Sequence, residues 1–184
     1  MGPIETLSNE HGLIRHYLNV LALAESKIQE GQHPPREFFD KAVEFARGFA
    51  DRFHHFKEEH VMFVRLAQKR KGEIDGQLDT LRYQHERGRN LIGGIARAVE
   101  GYAAGDMMKT ADLLENMAAY ISLLRHHIHI EDHVFYPMAL EELSAEEMAA
   151  LGEEFRKERE RQGGEIFEVC HKLIVDMSSM LTHL

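Results

Sequence analysis

The chain has 184 residues, of which 43% are hydrophobic and 29% charged, a composition that excludes a disordered or collagen-like protein. Its formal net charge is −9, which argues against a nucleic-acid partner, because proteins that bind nucleic acids carry basic surfaces. The chain has no apolar run of about 18 residues, no secretory signal pattern and only one cysteine, Cys170; these features predict a cytoplasmic, single-domain protein without a membrane partner.

Sparse prolines and glycines divide the chain into long stretches rich in Ala, Leu, Glu, Met, Lys and Arg, which favour helix. No segment alternates as a strand does, so the predicted fold class is all-α. Four helices are predicted over 4–30, 36–71, 77–104 and 106–140, and Pro137 is expected to kink or end the last of them. Ser144 and Glu147 form a capping box that predicts a fifth helix over about 144–183, with a bend at Gly163-Gly164.

Thirteen histidines are present, and three of them interrupt apolar helical stripes. His11 in the first helix, His85 in the third and His127 in the fourth each stand where the helical period calls for Leu or Ile. In the fourth helix Glu131 follows His127 one turn later, on the same face. The pattern predicts histidines that point into the core.

The second helix contains two overlapping His-x-x-x-Glu pairs, His54 with Glu58 and His55 with Glu59. The neighbouring residues on each face do not decide between the two pairs. The run that begins at His54 matches the run that begins at His127 position by position, which favours His54 and Glu58 as the inward pair.

The chain also has the pattern of a duplication. The spacing from His11 to His54 nearly equals the spacing from His85 to His127, so the first two helices resemble the next two in plan. Two such hairpins predict an up-down-up-down four-helix bundle over about 4–141, with an additional C-terminal helix.

Four imidazoles and two carboxylates are thereby predicted to meet inside this bundle: His11, His54, Glu58, His85, His127 and Glu131. Burying two carboxylates without partners is very costly, and a central cation removes that cost. Two cations suit six ligands better than one, because each carboxylate can bridge them. Imidazole with carboxylate favours iron, manganese or zinc over calcium or magnesium. Six side chains leave coordination positions for water, hydroxide or an oxo bridge, and thus for O2, peroxide or NO.

The remaining histidines are expected at the surface or around the ligands: His16, His33, His55, His60, His126, His129, His133 and His183. Cys170 and His171 are expected to serve packing in the fifth helix. Tyr120 lies two turns from His127 on the same face and is the nearest candidate to act beside the metals, although a core aromatic explains it as well.

The order of these residues resembles that of the hemerythrin-like, or HHE cation-binding, domains over about residues 4–141. The resemblance implies a non-haem di-iron centre in a four-helix bundle, bridged by Glu58 and Glu131, with roles in O2 binding or sensing, iron or redox sensing, peroxide or NO chemistry, or repair of iron centres. Arg89 stands where oxygen-carrying hemerythrins have a further histidine. Those proteins also have an acid five residues after the last histidine, which here would be Asp132, whereas Glu131 follows His127 at four residues, as in the HHE-type variant. These departures argue against simple O2 carriage.

Three functional hypotheses follow. The first is a di-iron protein that binds, senses or reacts with O2, peroxide or NO; His11 and His54 would hold one iron, and His85 and His127 the other. The second is an iron- or redox-responsive interaction module in which the metal is structural and the fifth helix covers the bundle or forms a homodimer surface. The third is an oxidoreductase that processes peroxide or NO, for which the sequence offers no general acid besides the ligands.

Overall fold

The computed structural model describes residues 1–182 and contains only helices within that range. The α-helices are α1 (Pro3–Gln29), α2 (Arg36–Phe45), α3 (Phe63–Arg70), α4 (Asp75–Ala103), α5 (Met107–Ile130), α6 (Tyr136–Glu142), α7 (Ala145–Arg161) and α8 (Ile166–Thr182). The all-α prediction is confirmed.

Two long helical runs contain wider π-helical turns. In the second run (36–70), π-helical segments Ala46–His55 and Glu58–Met62 connect α2 to α3 without a break in the helix. In the fourth run (107–142), the segment Glu131–Phe135 connects α5 to α6. Hydrogen bonds in a π-helix join residues five apart, and such segments are common at functional sites.

Local signals in the sequence explain where the runs begin and end. Lys71 and Gly72 adopt left-handed backbone angles and end the second run. The Asp106 side chain accepts hydrogen bonds from the first backbone amides of α5. The Ser144 hydroxyl accepts from the Glu147 amide while the Glu147 carboxylate accepts from the Ser144 amide, as a capping box requires. The fourth run continues past Pro137, the second residue of α6, and ends at Glu142.

The prediction of a single C-terminal helix is wrong. Two helices, α7 and α8, follow the fourth run, and the helix is interrupted between them at Gly163 and Gly164. Both glycines have positive φ, 97° and 75°, a conformation that residues with a Cβ rarely adopt. The Gly-Gly pair therefore ends the helix and does not merely bend it. α7 packs on α1, whereas α8 packs on both α1 and α2.

The interior contains two apolar clusters with a polar layer between them. Tyr17, Phe45, Ile95 and Leu124 belong to the first cluster. The second cluster is built by other residues of the same long runs, among them Leu7, Phe63, Leu81 and Phe135. The layer between the clusters contains the buried histidines and carboxylates. Among residues 1–182, no helix combines the length and the apolar character needed to cross a bilayer.

Candidate metal centre

All six residues predicted to meet inside the bundle lie in the polar layer. Each is at most 1% exposed: His11, His54, Glu58, His85, His127 and Glu131. α1 contributes His11, and the second run contributes His54 and Glu58. α4 contributes His85, and the fourth run contributes His127 and Glu131. The single polar residues that interrupt the apolar faces of the helices thus come together in one buried polar layer.

The four imidazoles form two close pairs. His11 Nε2 lies 3.0 Å from His54 Nε2, and His85 Nε2 lies 2.9 Å from His127 Nε2. The duplication in the sequence predicts the same two pairs, His11 with His54 and His85 with His127.

Each of these imidazoles has an acceptor at its outer nitrogen. The Nδ1 atoms donate to carboxylate or amide oxygens at 2.6–2.8 Å, in the pairs His11–Asp132, His54–Glu10, His85–Glu59 and His127–Gln84. A neutral imidazole has one N–H, so a ring that donates from Nδ1 has a bare lone pair on Nε2. Two lone pairs about 3 Å apart repel unless a proton or a metal ion lies near both. Metal-ligating histidines are oriented by outer acceptors in this way.

The two central carboxylates each reach both imidazole pairs. Glu58 Oε2 lies 3.7 Å from His54 Nε2 and 3.5 Å from His85 Nε2. Glu131 Oε2 lies 3.3 Å from His11 Nε2 and 3.1 Å from His127 Nε2. Both oxygens of Glu131 and Oε2 of Glu58 are buried without a hydrogen-bond partner among residues 1–182. A carboxylate in this position can bridge two cations, one beside each pair.

His55 also belongs to this layer, so of the two positions expected for it, at the surface or around the ligands, the surface one is wrong. It is 5% exposed, and its ring stacks on that of His85 with centroids 3.8 Å apart. Adjacent residues of an α-helix point about 100° apart, so sequence periodicity makes His54 and His55 alternatives. The π-helical segment Ala46–His55 widens the turn. Both side chains are therefore inside, together with Glu58.

The donor atoms form two groups that share Glu58. The first group is His11, His54, Glu58 and Glu131, and the second is His55, Glu58, His85 and His127. Within each group, one candidate ligand atom per residue lies within 4.8 Å of all the others. Imidazole and carboxylate donors in dry surroundings fit two transition-metal ions, and the unpartnered oxygens indicate where positive charge is missing.

The pKa values of the two central carboxyls are shifted in opposite directions. Burial, and next the charge of Glu131, raise the pKa of the Glu58 carboxyl well above its usual value. Burial alone would raise the pKa of Glu131 too, but the imidazoles of His127, His11 and His85 hold it well below. Burial lowers the pKa of His55 to about 3, so that ring is neutral near pH 7 and available as a ligand.

Tyr136 is a site residue that the sequence reasoning missed. Its hydroxyl donates to Glu58 Oε1 at 2.6 Å and lies 3.3 Å from His11 Nε2. Tyr136 follows Glu131 by five residues, a spacing that an α-helix turns to another face. The segment Glu131–Phe135 is π-helical, and its wider turn brings Tyr136 back towards the carboxylates. Tyr120, which the sequence analysis gave as the nearest candidate to act beside the metals, makes no hydrogen bond with any of residues 1–182.

Lys57 was also missed, although it is only 1% exposed. Its ammonium pairs with Glu10, the acceptor of His54, and lies 3.6 Å from the centre of the Phe53 ring. This contact fixes Glu10, and through it the orientation of the His54 ring.

The other histidines of the described chain for which a surface position was expected lie there: His16, His33, His60, His126, His129 and His133. His171 is exposed too, contrary to the expectation that it serves packing. His183 lies outside the described residues. Cys170 is buried in the first apolar cluster, in line with a role in packing.

Comparison with known proteins gives one family. The model of the hemerythrin HHE cation binding domain matches residues 2–139. One uncharacterized protein of Mycobacterium bovis and two of Mycobacterium tuberculosis are each 30% identical over 161 residues, covering 88% of this chain. The chain spans 62% of the length of these relatives. No solved structure gives a significant match.

The family match covers α1 to α6, the part of the chain that contributes all the donors of the polar layer. α7 and α8 lie beyond it. From the match and the clustered donors, the chain belongs to the hemerythrin HHE cation-binding domain family.

Proposed function

We propose that this protein holds two iron ions in a non-haem centre and binds, senses or reacts with O2, peroxide or NO. One observation carries the proposal: two donor groups share a buried carboxylate, and three oxygens of the central carboxylates have no partner in the described chain. Iron, when bound, supplies the redox chemistry and the coordination of the small molecule. Manganese and zinc suit the same donors, so the nature of the metal is part of the test.

The proposed ligands are the six predicted residues together with His55. His11 and His54 serve one ion, His55, His85 and His127 serve the other, and Glu58 and Glu131 bridge the two. The first ion has one imidazole fewer, which leaves more room for an added molecule. The Tyr136 hydroxyl lies on that side, 3.3 Å from His11 Nε2, and because it donates its proton to Glu58 Oε1, it would hold the orientation of that carboxylate.

We also propose that the four long runs form an up-down-up-down bundle. α1 and α4 run from the second apolar cluster, through the polar layer, to the first. The second and fourth runs pass through the same three layers in the opposite order. Alternating directions and short connections favour this topology.

The test is reconstitution of the full chain with ferrous iron without oxygen, followed by desalting and metal analysis. We expect about two irons per chain, as bundle sites of this kind hold, and a change in the visible spectrum on adding O2, NO or H2O2. A matched sample of Glu58→Ala should retain less than half as much iron, because both groups lose their shared ligand. A stoichiometry below one in the wild-type chain, or identical retention by the variant, would refute the proposal.

A further inference from the structure

A solvent-open cavity of about 310 Å³ lies beside the metal centre, between the second run and the helices α4 and α5. We call it the arginine cavity, and its polar wall consists of Arg47, Asp51, Arg52, His55, Arg89 and Tyr120. His55 is the only one of these that belongs to the donor groups. The cavity is therefore a separate space that meets the centre at one imidazole.

The polar wall has an excess of positive charge. Three arginines and one aspartate line the cavity, and the aspartate is already paired, because Arg89 Nε donates to Asp51 Oδ1 at 2.8 Å. Arg89 also donates to Glu59 Oε1 at 2.7 Å. Arg47 and Arg52 are exposed and form no ion pair with a carboxylate of residues 1–182. On a chain whose net charge is −9, this local excess favours a small anion.

The deeper part of the cavity offers hydrogen-bond donors on an apolar wall. Tyr120 is 3% exposed, and its hydroxyl bonds to none of residues 1–182. Burial, and next the charge of Asp51, raise the pKa of that hydroxyl, so it keeps its proton. His55 Nδ1 is buried without a hydrogen-bond partner, 3.6 Å from Asp51 Oδ1. Ala50 and Ile92 complete this part of the wall with apolar surface.

Size and charge together define the ligand. Pockets for small organic molecules begin at about 300 Å³ and combine apolar walls with a few placed polar groups. Two free guanidiniums match one carboxylate, for which the guanidinium fork is well suited. The apolar wall and the Tyr120 hydroxyl suit a short carbon chain and one further oxygen.

We propose that the arginine cavity binds a small organic monocarboxylate, with its carboxylate at Arg47 and Arg52 and its carbon chain against Tyr120. This goes beyond the proposed function, because the site recognises an organic anion where the metal centre takes a small inorganic molecule. Binding does not require metal, since five of the six polar wall residues lie outside the donor groups. The bound anion would lie next to His55 and hence next to the metal centre.

The experiment is calorimetric titration of the full chain, with and without iron, with sodium butyrate at low ionic strength. We expect a dissociation constant of about 1 mM, since a six-atom ligand with one charged group reaches that range. Butyramide has the same size without the negative charge, and n-butylamine has the same carbon chain with a positive charge; we expect both to bind at least about tenfold more weakly.

Variants locate the site. Arg47→Gln combined with Arg52→Gln should weaken butyrate binding at least about tenfold, because both guanidiniums are lost. Tyr120→Phe should leave butyrate binding within about twofold of the wild type, because butyrate has no oxygen beyond its carboxylate to accept a hydrogen bond from this hydroxyl. The matched control is Arg87→Gln, an exposed arginine of α4 outside the wall, which should bind as the wild type does. Circular dichroism checks that each variant is folded.

Equal affinity for butyrate and butyramide would overturn the proposal, as would unchanged affinity in the double arginine variant. If Arg87→Gln weakens butyrate binding as much as the double variant does, the net charge of the chain explains the weakening, and the proposal is overturned. Because butyrate binding is measured with and without iron, a failed metal centre and a failed anion site give different results.

Discussion

The buried histidine pair His54-His55 is the most informative feature at the scale of single residues. The two side chains are neighbours in sequence, yet each lies in a different donor group and both are at most 5% exposed. His55 stands against His85 on the side where α4 has Arg89. The second run therefore contributes three side chains to the donor groups, against one from α1.

This position of His55 gives a first prediction. His55→Ala should lower the affinity of one metal more than about 100-fold, because loss of a ligand exceeds the effect of losing an outer partner. His60→Ala is the matched control, since His60 is exposed on the same run. Competition with a chromophoric chelator measures both affinities. Two metals bound with wild-type affinity in His55→Ala would exclude this residue from the ligands.

Asp132 tests the outer layer of contacts. It accepts from His11 Nδ1 at 2.8 Å and pairs with Arg15, so it holds both the orientation and the tautomer of the His11 ring. Asp132→Asn should weaken metal binding by about 10–100-fold while the fold persists. In the control, Asp40→Asn changes a carboxylate whose side chain is 58% exposed and should leave affinity unchanged. A wild-type affinity in Asp132→Asn would show that this hydrogen bond does not support the site.

The sequence alone identifies residues that stand at regular α-helical positions. His11, His85 and the pair His127 with Glu131 interrupt apolar stripes, and the structure places all four in the polar layer. His55 and Tyr136 could not be found in this way, because the π-helical turns that bring them in break the period on which the reasoning depends.

At the scale of whole elements, the turn between α7 and α8 has a clear cause. Gly163 has a φ of 97°, where a Cβ is strained by about 1–2 kcal/mol. Gly163→Ala should therefore lower the free energy of unfolding by about 1 kcal/mol, measured by urea denaturation. Gly152 lies inside α7, where an added Cβ would be 3.8 Å from Pro3 Cδ, and Gly152→Ala should raise the same free energy by about 0.5–1 kcal/mol. Equal effects of the two substitutions would show that the turn is not strained.

Cys170 reports how firmly α8 packs. It is 8% exposed in the first apolar cluster, and burial raises the pKa of its thiol to about 11. At pH 8 its reaction with a disulfide reagent should be at least about tenfold slower than in urea-unfolded protein, and should accelerate as pH rises towards 11. Because the unfolded thiol loses its proton first, this group's contribution to stability is lost as pH rises above about 8.5. Equal rates in folded and unfolded protein would mean that α8 does not cover Cys170.

The C-terminal part shows which elements a sequence predicts with difficulty. The capping box at Ser144 is a local signal, and the helix begins there. The Gly163-Gly164 pair is local too, but a double glycine fits either a bend within one helix or a break between two helices. The structure has a break, and α8 packs on α1 and α2; such long-range contacts leave no periodic signal in the chain.

The whole molecule is organised around one polar layer between two apolar clusters. Each long run crosses from one cluster to the other and contributes its donors at the crossing. The duplication predicted this common level, because the same spacing of histidines in two hairpins places them at the same height. The helices α7 and α8 lie outside the duplication and pack on α1 and α2, so they enclose the layer without contributing a donor from the described chain.

Anomalous X-ray diffraction at the iron absorption edge, on crystals of the iron-loaded chain, tests the central claim most directly. The account predicts two peaks about 3.5–4 Å apart, one beside His11 and His54 and the other beside His55, His85 and His127, with Glu58 between them. A single peak, or peaks outside the polar layer, would contradict it.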